Sequence, residues 1–149
     1  MNRETKAEPN VEQAVPFFRV SDIEASVRYY VDGLGFEMTK QWTPEGKLQW
    51  CWLERGRAAL MLQEFRVQGH DSWVPEAKVG EGVSICFICK DALAIYRQVT
   101  ARGIQASRPF VSNGMWNFGL SDPDGYRIEF ESDTDVPEGT AFSEQEGQK

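Results

Sequence analysis

The same order of elements is written twice along this chain, and a repeated strand-helix-strand-strand-strand unit predicts two like modules. Residues 14–20 alternate as a strand, with Pro16 near its start or at a sheet edge. Ser21-Asp22-Ile23-Glu24 then has the form of a capping box. Ile23, Val27, Tyr30, Val31 and Leu34 stripe one face of the helix that follows, and Gly33 and Gly35 end it. Residues 36–42, 48–54 and 58–65 read as strands, parted by Pro44-Glu45-Gly46 and Arg55-Gly56-Arg57. The second unit opens with a strand at 83–89. Asp91 caps a helix striped by Ala92, Ile95, Tyr96 and Val99 and closed by Gly103; strands at 109–112, 115–121 and 126–132 follow. The capping aspartates Asp22 and Asp91 stand 69 residues apart, which suits a duplicated module better than a solenoid.

This pattern divides the chain into a tail at 1–13, a first module at 14–65, a loop at 66–82, a second module at 83–132 and an acidic tail at 133–149. Residues 14–132 make one domain. The tails hold −1 and −4 of the net charge of −7, which leaves −2 for residues 14–132. By composition both tails are expected to be poorly ordered. A near-neutral body offers no footprint for nucleic acid. No apolar run reaches the roughly 20 residues of a membrane span, and Met1-Asn2-Arg3-Glu4-Thr5-Lys6 lacks the apolar core of a signal peptide. No membrane partner and a cytoplasmic location are the expectations. Cys86 and Cys89 have C-x-x-C spacing, but within a strand residues three apart point to opposite faces. With Cys51 they read as small reduced core residues.

The second module ends in Ser121-Asp122-Pro123-Asp124-Gly125-Tyr126-Arg127-Ile128-Glu129-Phe130, and Leu34-Gly35-Phe36 follows the first helix. With the paired modules, these segments resemble the vicinal-oxygen-chelate superfamily of glyoxalase I, extradiol dioxygenases and bleomycin-resistance proteins. The resemblance covers residues 14–132. It implies an α+β fold in which two tandem βαβββ modules curl into a half-open barrel sheet with helices outside. It also implies four metal positions in the lyase-type members, falling here on Val15, Met61, Ser84 and Glu129. Valine offers no donor, and a hydroxyl and a thioether are poor ligands for the metals concerned. His70, the one histidine, lies in the central loop. No metal and no other cofactor are therefore expected. The run Ala14-Val15-Pro16 with Ser26-Val27-Arg28-Tyr29-Tyr30 is close to bleomycin-resistance members, which implies sequestration of a small molecule by a homodimer.

Alternation sorts the side chains of the expected concave face. Val15 brings Phe17 and Arg19; Met61 brings Ala59 and Gln63; Ser84 brings Cys86 and Ile88; Glu129 brings Arg127 and Glu131. Leu48, Trp50 and Trp52 share a face, which pattern alone leaves open. The expected ligand-binding set is Arg19, Phe17, Trp50, Trp52, Met61, Gln63, Trp73, Ser84 and Trp116, with Glu129 as the candidate base or ion-pair partner of Arg19 or Arg127. An enzyme of the lyase, isomerase or dioxygenase type working through Glu129 is the rival to a metal-independent, possibly antibiotic, binding protein. With one histidine no Ser-His-Asp triad can be argued, and with no Gly-rich phosphate loop no nucleotide cradle.

Overall fold

The computed structural model describes residues 10–70 and 72–144. The first module holds β1 (Phe17–Val20), α1 (Ile23–Val27), β2 (Glu37–Trp42), β3 (Trp50–Arg55) and β4 (Ala58–Glu64). The second holds β5 (Ser84–Ile88), α2 (Ala92–Ala101), β6 (Phe110–Ser112), β7 (Met115–Ser121) and β8 (Arg127–Asp133). Each module forms a four-stranded mixed sheet, ordered β1-β4-β3-β2 in sheet 1 and β5-β8-β7-β6 in sheet 2. The first strand of each unit runs parallel to the last, and the other pairings are antiparallel. The fold is α+β with two curled sheets and no closed barrel.

Local chemistry starts both helices alike. The Asp22 carboxylate accepts from the Ala25 amide at 3.1 Å, and Asp91 accepts from Ala94 at 3.0 Å. The caps are thus the expected aspartates, Asp22 and Asp91, and Ser21 does not serve as the cap of a capping box. The first helix is α-helical only to Val27 and continues as a π-helical segment, Arg28–Gly33. Gly33 accounts for the tight packing there, since a Cβ would stand 2.4 Å from the Ile104 side chain.

One core joins the modules. Phe18, Leu60 and Leu62 of sheet 1 and Phe118, Ile128 and Phe130 of sheet 2 are buried with Ile23, Tyr30, Ile95 and Val99 of the helical segments. The Asp-Pro-Asp-Gly turn is tied into it. Asp122 Oδ1 accepts the backbone amides of Asp124, Gly125 and Tyr126, each at 2.9 Å, and Oδ2 accepts the Tyr30 hydroxyl at 2.7 Å. Tyr126 stacks on Phe18 with ring centroids 4.2 Å apart.

Three expectations are corrected. Residues 133–144 are not a loose tail: Phe142 is buried, Ala141 bridges Phe110, and Glu138 accepts from the Asn113 amide at 2.6 Å. An aromatic anchor outweighs the acidic composition there. The expectation for residues 1–9 and 145–149 lies outside the described residues. Cys86 is exposed and not a core residue, whereas Cys51 is buried and the half-buried Cys89 packs against the core. The third correction concerns Trp116 and belongs to the site below.

Candidate functional site

The strand register decides what lies side by side on the uncovered face of sheet 1. Cys51 and Leu53 point into the core, so Trp50 and Trp52 point the other way. Arg19 pairs laterally with Gln63, and Gln63 with Trp50, which in turn pairs with Trp42. The neighbouring rung runs Phe17, Met61, Trp52 and Lys40. A bulge between Met38 and Lys40 turns Lys40 and Trp42 onto this face. The central loop returns to it: Arg66 and Trp73 exchange backbone hydrogen bonds at 3.3 and 2.6 Å. The Arg19 guanidinium lies 5.2 Å from the Phe17 ring centroid and 5.7 Å from that of Trp73. Lys40 Nζ sits 4.8 Å above the Trp52 ring, whose indole N–H donates to Glu54 at 2.7 Å. Phe17, Arg19, Trp50, Trp52, Met61, Gln63 and Trp73 are thus brought to one surface.

Ser84 and Glu129 belong to sheet 2. They line an open groove of about 580 Å³ with Arg127, Gly125 and the loop residues 78–83. Glu129 is half-buried and pairs laterally with Cys86 and Gly119. The glycine leaves room for Arg127, because a Cβ there would lie 3.2 Å from Arg127 Nη2. Among the described residues neither Arg19 nor Arg127 forms an ion pair with Glu129; an ion pair elsewhere on sheet 1 joins Lys47 Nζ to Glu64 Oε1 at 3.0 Å. His70 is exposed in the central loop.

The four positions that could hold the family's metal do not fit one. Val15 lies before β1 and, with Cys86, lines a separate groove of about 480 Å³. Met61 stands beside Phe17, and Ser84 shares its groove with Glu129, but valine, thioether and hydroxyl leave Glu129 as the one strong donor of the four. Another set lies close by: donor atoms of Cys86, Glu129 and Glu131 fall within 4.8 Å of one another. The Cys86 thiol, however, is pushed up to about 12, first by desolvation, then by its hydrogen bond to Glu131 and the nearby carboxylates. That value belongs to the metal-free thiol, since a bound cation would itself deprotonate it.

Trp116 does not join either surface. It faces Val111 and Ser132 across the strands and packs edge-on against Phe142, with centroids 6.3 Å apart. Its place in the expected ligand set is corrected: the aromatic anchor of residues 133–144 claims it. Trp42, Lys40 and Arg66 are the neighbours that sequence reasoning missed. The bulge hides the register of the first two, and Arg66 enters only through the fold of the loop. The turn at Pro44-Glu45-Gly46 was the one available signal that β2 and β3 form a hairpin.

Comparisons with known proteins agree with this architecture. Residues 12–130 match the family described as the Glyoxalase/Bleomycin resistance protein/Dioxygenase superfamily. The antibiotic-binding protein TnmS3 from Streptomyces sp. CB03234 is 22% identical, with a TM-score of 0.63 over 83% of this chain and 98% of that one. A bleomycin-binding protein complexed with bleomycin is 22% identical, with a TM-score of 0.63 over 83% of this chain and 99% of that one. A lactoylglutathione lyase from Agrobacterium tumefaciens is 21% identical, with a TM-score of 0.61 over 84% and 95%. At these identities the likeness is one of fold, and it spans both binding proteins and an enzyme. No curated protein matches the chain in sequence. The matched span takes in both modules, and the chain belongs to the glyoxalase/bleomycin resistance protein/dioxygenase superfamily.

Proposed function

We propose that this protein binds a small molecule on the aromatic face of sheet 1, without a catalytic metal, and acts as a homodimer. The observation that carries the reading is the pair of adjacent rungs that sets Trp50, Trp52, Phe17 and Met61 beside Arg19 and Gln63. Flat apolar walls with a few placed polar groups are the usual make-up of a small-molecule site. The bleomycin-binding and antibiotic-binding relatives support an antibiotic as one class of ligand. Titration with bleomycin and a panel of aromatic antibiotics, followed by tryptophan fluorescence, tests it. At least one compound is expected to quench saturably, and Trp50→Ala is expected to weaken that compound by about tenfold. Saturation by none of them would defeat the reading.

The rival is a lyase, isomerase or dioxygenase acting through Glu129, and the groove holding Glu129, Ser84 and Arg127 is the observation behind it. The donor chemistry at Val15, Met61 and Ser84 favours the binding reading. Stoichiometric divalent metal in protein purified without added metal would decide for the rival.

A further inference from the structure

Polar atoms buried without partners gather at one end of sheet 1. Gln63 is 6% exposed, yet its Nε2 has no hydrogen-bond partner. Arg19, its lateral neighbour, has its Nε buried and unpartnered. Arg66 Nε is in the same condition, with its guanidinium 5.3 Å from the Trp42 ring centroid. All three are donors. Among the described residues no carboxylate pairs with Arg19, whose guanidinium is held between Phe17 and Trp73. A buried donor without an acceptor, and a half-buried cation without an anion, cost free energy unless something supplies the acceptor. The rings beside them supply a flat wall but no acceptor.

We propose that Arg19 and Gln63 form an acceptor subsite, which takes the carboxylate or phenolate oxygen of an aromatic ligand whose ring lies against Trp50 and Trp73. The inference rests on the small-molecule reading above and names the ligand's chemical class. Arginine presents its donors in a planar fork that suits a carboxylate, and the carboxamide of Gln63 adds a neutral donor at its side. A cationic ligand is disfavoured here, since it would meet the Arg19 charge, which no carboxylate among the described residues pairs with.

The test is calorimetric titration of the full chain with three probes that share one ring: 2-naphthoate, 2-naphthamide and 2-naphthylmethylammonium. Naphthoate is expected to bind tightest and the ammonium probe weakest. Arg19→Gln should weaken naphthoate by about tenfold to a hundredfold and should strengthen the ammonium probe, because the opposing charge is gone. Arg19→Lys should recover part of that loss, because it restores the charge without the fork. Gln63→Leu should weaken naphthoate by about tenfold, and it serves if the Arg19 variants fail to fold. Trp50→Ala should weaken all three probes alike. Equal binding of naphthoate and the ammonium probe would overturn the acceptor subsite and leave the small-molecule reading standing. Binding of none of the three, with saturable binding of an antibiotic from the panel, would overturn the subsite alone, and failure of both sets would remove both readings. If Arg19→Gln and Glu131→Gln each dissociate a dimer, Arg19 answers a carboxylate of a second copy, and the subsite is overturned.

Discussion

Asp122 ties the two modules together through both of its carboxylate oxygens. One oxygen gathers three backbone amides of its own turn, and the other receives the hydroxyl of Tyr30 from the first module. Asp122→Ala leaves those donors without an acceptor inside the protein and should cost about 3 kcal/mol. Asp122→Asn keeps an amide-accepting oxygen and should cost about 1 kcal/mol. Burial raises the Asp122 carboxyl above its ordinary range, opposed by the Tyr30 hydroxyl and the turn amides. The folded state therefore holds this proton more tightly than the unfolded chain. The resulting stability is fully present below the unfolded value of about 3.9 and is lost as pH rises through the raised folded value. Urea unfolding at a series of pH values checks this. The Asp122→Asn protein should lack that fall in stability over the acid range, and an unchanged profile would refute the assignment.

At the scale of elements, pattern and structure part where contact outweighs composition. The caps at Asp22 and Asp91, the two helices and the eight strands were legible because each is set by neighbours in sequence. The lateral order of side chains on sheet 1 was not. It depends on a bulge near Thr39 and on which face Trp50 takes, and Leu53 decides that by entering the core. Trp116 misled for the same reason: its partner, Phe142, lies 26 residues away in a segment whose charge suggested disorder. Phe142 is 4% exposed, and Arg97 sits 5.5 Å from its ring. Phe142→Ala should destabilise the protein by about 3–5 kcal/mol and expose residues 133–144 to protease. Thermal unfolding with limited proteolysis checks both. Wild-type stability in the variant would show that this segment does not hold the second module.

At the scale of the whole molecule, the described residues hold no helix long and apolar enough to cross a membrane. Large apolar side chains nonetheless reach solvent on the uncovered faces of both sheets. Ile88 is 69% exposed and Phe110 45%, at opposite edges of sheet 2; Phe17 and Trp42 are 43% and 46% exposed on sheet 1. Single exposed apolar residues are ordinary, and under the dimer reading a partner would cover these. A bound ligand of ordinary size covers part of one face and not both, so a second copy is the simplest cover for the rest. Sedimentation of the 16.9 kDa chain should therefore give a species of about 34 kDa. Ile88→Glu puts a charge on the sheet 2 face without entering the core, and it should shift the protein to monomer while its unfolding midpoint stays near wild type. A wild-type protein that sediments only as a monomer would break the dimer reading. Aromatic ligand binding in such a monomer would show that sheet 1 forms the site unaided.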